Sequence, residues 1–137
     1  PVVYGKAEMI HKGSEIALVA VGSMVETACE VRKILKEKGL DVTVVNERFI
    51  KPIDAGMIHK LSFDHKLIVT MEENVGLGGF GDTVCQYADD SQLDVKVLNI
   101  ALPDDYVEHG NVSILKKEEG IDAAGVADRV LSFYTNI

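Results

Sequence analysis

The sequence predicts an α/β protein, a doubly wound sandwich with helices on both faces of a parallel sheet. Three observations predict it. Four short runs rich in Val, Ile and Leu lie between turn signals, and most are apolar at consecutive rather than alternate positions, the pattern of strands buried on both faces. Segments with helical periodicity fill the gaps. The resulting order is β-α-β-α-β-α-β followed by helices, which is the alternation of a doubly wound fold.

The elements follow in chain order. Residues 5–15, GKAEMIHKGSE, are short and polar-alternating and end at Lys12-Gly13, so they read as an edge strand with one buried face. Residues 1–14 are this leading strand and its linker. IALVAV at 16–21 is the first buried run. Ser23 with Glu26 three residues later reads as a capping box, and Met24, Ala28, Val31 and Leu35 then mark one helical face. KEKG closes that helix with basic residues and Gly39. DVTVVN at 41–46 is the next strand. Asp54, after Pro52, caps a second helix with Met57, Ile58 and Leu61 inward. KLIVTM at 66–71 is followed by a glycine-rich loop, and Gly81 or Asp82 opens a third helix. VKVLNI at 95–100 is the last strand. Asp122 caps a final helix with Val126, Val130, Leu131 and Tyr134 as its apolar stripe.

The bulk numbers exclude several classes. A chain of 137 residues, 47% hydrophobic and 26% charged, favours one domain with a core that needs no staples. The formal net charge is −8, from 22 acidic and 14 basic residues, which argues against nucleic acid and against an anionic membrane surface. The apolar runs are far too short to span a bilayer. Cys29 and Cys85 show no metal spacing and read as two buried, reduced thiols in helices, as in a cytoplasmic protein. The first residue is Pro1, not Met, so the chain is expected to be either processed or, the favoured reading, a piece of a longer protein.

In an open parallel sheet ligands bind beyond the carboxyl ends of the strands. The loops there are Gly22-Ser23, Arg48 to Asp54, Glu72 to Gly81, and Ala101 to Gly110. Within the third, Gly76, Gly78 and Gly81 spell G-x-G-x-x-G between a strand and a helix. Two readings stand. One is a nucleotide site. The other is a connector whose glycines serve tight turns and close helix packing. Against the first, EENV separates the strand from Gly76, and Glu72 and Glu73 would repel phosphate. Those two carboxylates are adjacent on a strand, so they point to opposite faces and do not form an acid–base pair; one of them caps or positions the loop. His11, His59, His65 and His109 lack metal-ligand spacing. His59 and His65 flank the end of one helix, where a cation suits the dipole, and His109 lies in a loop at the functional edge. No catalytic triad order and no P-loop is visible.

Three stretches together resemble the C-terminal domain of the transketolase superfamily, and within it the pattern of 1-deoxy-D-xylulose-5-phosphate synthase. They are VAVGSMVETACEVRKILKEKGLDVTVVNERFIKPID, HKLIVTMEENVGLGGFGDTV and LNIALPDDYVEHG. The most specific pieces are Arg48 through Asp54, the Glu-Glu-Asn before Gly78-Gly79-Phe80-Gly81, and Leu102-Pro103-Asp104 running to His109-Gly110. The resemblance covers the chain from about Gly5 to the last helix.

It implies a three-layer α/β/α sandwich with a five-stranded mixed, mostly parallel sheet whose first strand is antiparallel. It implies a parent enzyme that uses thiamine diphosphate and magnesium to condense pyruvate with glyceraldehyde 3-phosphate, with loss of CO2, toward isoprenoid and thiamine precursors. In such enzymes the cofactor and the catalytic groups belong to the two preceding domains of the polypeptide. No catalytic, cofactor-binding or metal residue carries over to this chain, which is therefore expected to be inactive alone and to hold no cofactor. Its partners would be those preceding domains and a second protomer. The residues expected at these interfaces are Glu72, Glu73, Asn74, Gly78, Gly79, Phe80 and Gly81 in one loop, and Pro103, Asp104 and His109 in the other. The alternatives are the same domain in a transketolase or a 2-oxo acid dehydrogenase beta subunit, and an autonomous nucleotide-binding regulatory module.

Overall fold

The structure is a computed structural model, and it describes residues 4–48, 53–73, 79–101 and 122–137. Five strands form one sheet: β1 (Glu8–His11), β2 (Glu15–Ala20), β3 (Thr43–Asn46), β4 (His65–Glu72) and β5 (Lys96–Ala101). Among the described residues four helices cover it: α1 (Met24–Glu37), α2 (Ala55–Asp64), α3 (Phe80–Asp90) and α4 (Ala123–Thr135). The strand order is β1-β3-β2-β4-β5, with β1 antiparallel to β3 and every other pair parallel. This is the three-layer sandwich with a mixed, mostly parallel five-stranded sheet that the sequence leads one to expect.

Alternation along the strands explains the consecutive apolar runs. Ile16, Leu18 and Ala20 of β2 face one side with Leu67, Val69 and Met71 of β4, under α1 and α4. Ala17 and Val19 face the other side with Ile68, Ile58 of α2, and Phe80 and Val84 of α3. Each β2 and β4 residue in these sets is fully buried. At β2 and β4 both sheet faces are therefore dry, so these strands carry no polar stripe.

The helices match their expected faces, and two of their starts differ. The buried residues of α1 are Met24, Ala28, Val31 and Leu35, the predicted stripe. Its stop is a Schellman motif: the Leu40 amide donates to the Leu35 carbonyl at 2.9 Å and Gly39 donates to Lys36 at 3.0 Å, with Gly39 at φ 91°. The expected Ser23–Glu26 capping box does not form. Ser23 already has helical dihedrals (φ −66°, ψ −16°) and makes no side-chain cap, whereas a capping serine needs extended geometry to aim its oxygen. Backbone bonds from Met24 to Val21 and from Val25 to Gly22 close the turn instead. In α2, Asp54 caps the Met57 amide as expected at 3.1 Å; Ile58 and Leu61 are buried and Met57 is half-buried. The third helix begins at Phe80, one residue before the expected start. Asp122 caps α4 through the Gly125 amide at 3.0 Å. There Val126, Ala127 and Val130 are buried, while Leu131, Phe133 and Tyr134 pack half-buried against the same core.

β3 is shorter than the run 41–46 because the Asp41 carbonyl is taken by the Ser14 amide at 2.8 Å, in the tight crossing below the sheet. Gly13 lies against that strand so closely that a Cβ there would sit 2.0 Å from the Asp41 oxygen. The Gly13 amide donates to Thr43 Oγ1, which meets the buried His65 Nε2 at 2.7 Å. His65 Nδ1 reaches the Leu61 carbonyl in the last turn of α2, the place expected for it. His59 differs: it sits in mid-helix, its Nδ1 3.3 Å from the Tyr87 hydroxyl and its ring against Phe63. His11, on β1, pairs with Asp41 at 2.9 Å. Cys29 and Cys85 are free and lie in α1 and α3, but both are half-buried rather than buried. Cys29 follows Ala28 and so falls at the margin of the stripe.

The last helix is tied to the first buried strand. Tyr134 donates to Glu15 Oε2 at 2.8 Å across 119 residues, and Lys66 Nζ lies 3.4 Å from the same oxygen.

Two outcomes are expected. Gly13→Ala must displace backbone, since the clash is with a carbonyl, and should cost about 1–3 kcal/mol or more, read as a lower urea midpoint. Glu15 is held below its usual value of 4.5, first by the Tyr134 hydrogen bond and then by that from Lys66. That stabilisation is present above about pH 4.5 and is lost as pH falls through the lower folded-state value. Tyr134→Phe should move the Glu15 titration, followed by NMR, back toward 4.5 and flatten the acid limb of the stability profile.

Candidate functional site at the carboxyl edge of the sheet

Because β2 to β5 are parallel, their carboxyl ends share one edge. β1 runs the other way, so its first residue, Glu8, pairs with Asn46 at that same edge. The switch point lies beside β2: the chain builds β3 on one side, then crosses to β4 and β5 on the other. In many open sheets a crevice forms here. In this protein the Val21 amide donates to the Met71 carbonyl at 2.9 Å and the Glu47 amide to Ala20 at 2.9 Å, which draws the strand ends together past the ladder.

The central feature is Glu72. It is the last residue of β4 and only 8% exposed. Its Oε1 accepts from the Phe80 amide at 3.0 Å and its Oε2 from the Gly81 amide at 2.6 Å. A helix N-terminus presents unsatisfied N–H groups and a partial positive charge. The Gly79 N-cap has no side chain to meet them, so Glu72 supplies the acceptor from the neighbouring strand. Glu73 lies just past the end of β4 and is exposed.

Gly81 is glycine because of what lies beneath it. A Cβ there would come 2.7 Å from Asn99 Cγ and 2.9 Å from Thr70 Oγ1. Those side chains are engaged: Thr70 donates to Asn99 Oδ1 at 2.6 Å, and Asn99 Nδ2 reaches Cys85 Sγ at 3.4 Å. The helix start is thus seated directly on β4 and β5.

On the other side of the edge stand two more buried carboxylates. Asp54 accepts from Met57 with Oδ1 and from the Ala7 amide with Oδ2 at 2.9 Å, and its own amide donates to Glu47 Oε2 at 3.3 Å. Glu47 is fully buried. Arg48 Nη2 lies 3.2 Å from Glu8 Oε1. A reading of the sequence singles out neither Glu47 nor the Ala7 contact.

Of the expected interface residues, Glu72, Phe80 and Gly81 are buried within the fold and shape the edge, Gly79 is half-buried, and Glu73 is exposed. Asn74, Gly78, Pro103, Asp104 and His109 lie outside the described residues, as does Gly76. A groove of about 530 Å³ beside this edge runs between α2 and α3, lined by Ile53, Thr83, Gln86 and Tyr87 among others. A larger cleft of about 940 Å³ lies at the opposite edge, around Glu15, Lys66 and Asp94, away from the strand ends where such sheets bind ligands.

The described residues at this edge do not fit thiamine diphosphate or magnesium. The one helix N-terminus that a glycine motif would offer to a diphosphate already holds the Glu72 carboxylate. Among the described residues no three His, Cys, Asp or Glu side chains converge on a metal position.

A five-stranded sheet in this order, with one antiparallel edge strand and a carboxylate-closed strand end, defines a three-layer domain of the α/β class. Residues 5–126 match the family described as transketolase, C-terminal domain, and the chain belongs to that family. It is homologous to 1-deoxy-D-xylulose-5-phosphate synthases: 48% identical over 130 residues to that of Lachnoclostridium phytofermentans and 43% identical over 134 residues to one from Dehalococcoides mccartyi. These alignments cover 94% and 96% of this chain but 21% of each relative, so the chain spans about a fifth of their length. Among solved structures, a split-gene transketolase in an inactive beta4 tetramer shares the fold, with a TM-score of 0.83 over 98% of this chain and 42% of that one at 24% identity.

Glu72→Gln should expose the cap. One oxygen becomes an amide donor facing a backbone donor, a loss of about 1–3 kcal/mol. The expected result is a lower urea midpoint, with faster amide exchange at Phe80 and Gly81 than in the rest of α3. Gly81→Ala should destabilise further, since Asn99 cannot yield without breaking its bonds to Thr70 and Cys85.

Proposed function

We propose that this chain is the C-terminal domain of a cytoplasmic, thiamine-diphosphate-dependent 1-deoxy-D-xylulose-5-phosphate synthase. The parent enzyme would condense pyruvate with glyceraldehyde 3-phosphate and release CO2, with thiamine diphosphate and magnesium held by the preceding domains of the polypeptide. On this reading the 137 residues form a single domain that makes and breaks no bonds in the substrate. Its carboxyl edge packs against those preceding domains and against the second protomer of a homodimer. The observation that carries the reading is the 48% identity to a synthase across 94% of the chain. The geometry supports the non-catalytic part: both oxygens of Glu72 and both of Asp54 are engaged with backbone amides.

The test uses the full-length polypeptide. Glu73→Lys together with Asp104→Lys should weaken dimerisation, seen by analytical ultracentrifugation, and lower kcat/KM for pyruvate by about tenfold or more, equivalent to about 1.4 kcal/mol. Unchanged association and turnover would sink the interface role. The 137-residue chain, titrated calorimetrically with thiamine diphosphate, NAD and ATP in turn, should give no binding heat. Micromolar affinity for any of the three would instead favour an autonomous ligand-binding module.

A further inference from the structure

The segment ahead of β1 is fastened rather than tethered. Gly5 turns it with φ 74°. Two residues on, the Ala7 amide donates to Asp54 Oδ2 at 2.9 Å, and Ala7 packs against the core under α2 and α3. Glu8 then meets Arg48 at 3.2 Å. Asp54 is 7% exposed and divides its two oxygens between two tasks: Oδ1 caps α2, and Oδ2 holds the entering chain. Its amide is held in turn by the buried Glu47, which is anchored to β2 through the Ala20 carbonyl. A helix cap needs only one acceptor atom. The second oxygen of Asp54 is therefore surplus to the cap, and a serine or threonine would have served α2 as well.

We propose that Asp54 is a positioning residue that locks residues 5–8 to the start of α2 as a strut, so that the polypeptide preceding this domain is held at a set angle beside the carboxyl edge. The inference rests on the reading of this chain as a domain that follows others in one polypeptide. The partner is that preceding polypeptide. The strut places it on the side of the sheet where the Glu72 loop and the loop after β5 emerge. A flexible linker would let the domain sample many orientations and would dilute any interface it makes, whereas a fixed one presents the edge pre-aligned.

Asp54→Ser and Asp54→Ala in the full-length polypeptide separate the two tasks. Serine keeps an N-cap acceptor but is too short to reach Ala7; alanine loses both contacts. Hydrogen–deuterium exchange by mass spectrometry should show residues 5–8 exchanging at least tenfold faster in both variants. The first turn of α2 should loosen only in the alanine variant. Asp54→Ser should also lower kcat/KM by several-fold with KM moving less than kcat, at an unchanged melting temperature for the preceding domains. Wild-type exchange at residues 5–8 in the serine variant, whether or not the alanine variant loosens both segments, would overturn the strut. A loosened segment with full turnover would overturn its role in alignment. Failure of the parent reading is separately visible, because the unsubstituted polypeptide would then form no 1-deoxy-D-xylulose 5-phosphate from pyruvate and glyceraldehyde 3-phosphate.

Discussion

A parallel sheet buried on both faces confines its polar chemistry to the two ends of its strands. Interior positions of β2 and β4 are fully buried and apolar apart from the Thr70 hydroxyl, so the strand ends and the helix starts above them must satisfy one another. Here the solution is a set of buried carboxylates. Glu72 closes the start of α3, Asp54 closes the start of α2, and Glu47 holds Asp54. Each joins a strand end or loop to a helix N-terminus, where negative charge is favoured. The arrangement replaces, with groups of the chain itself, the anion that many doubly wound proteins recruit from a ligand.

That substitution bears on the glycine motif, because the Phe80 and Gly81 amides at its helix already hold the Glu72 carboxylate. Gly81 meets the spacing of a phosphate loop, but its function here is contact distance: the helix start rests on Thr70 and Asn99 with no room for a methyl group. The same absence of a side chain that lets a backbone approach a phosphate lets this one approach a strand. Electrostatics decides between the two uses. With the Glu72 carboxylate 2.6 Å from the Gly81 amide, a phosphate at that helix start would meet a like charge in a poorly solvated place.

Much of the fold was legible because it depends on local pattern. The α1 stripe of Met24, Ala28, Val31 and Leu35 is a periodicity, and Asp54 and Asp122 are caps placed directly before the segments they close. The Ser23–Glu26 box was also legible, and it does not form, because Gly22 at φ 63° turns the chain so early that Ser23 is already helical. For the carboxyl edge, alternation put Glu72 and Glu73 on opposite faces and one of them at the loop as its anchor, but which one, and its bonds to the Phe80 and Gly81 amides, were not readable. The Asp54–Ala7 bond spans 47 residues and Thr70–Asn99 spans 29, with no motif that announces either. Such contacts follow from sheet order, which local pattern does not encode; resemblance to a family implied five strands with an antiparallel first one, not their order.

Chain direction gives the edge its functional weight. Were β1 parallel like its neighbours, the entering chain would approach from the opposite end, near Glu15 and Lys66, far from the loops that follow β3, β4 and β5. Antiparallel pairing of Glu8 with Asn46 reverses this and brings the entry to the carboxyl edge. α4 runs back against the sheet, and its Tyr134 is bonded to Glu15 at the other end. Entry and last helix are thus separated by the length of a strand, and the entry lies with the loops. At this edge Glu72 and Asp54 are committed to backbone amides, and the carboxylate that starts α2 also fixes Ala7 beside it.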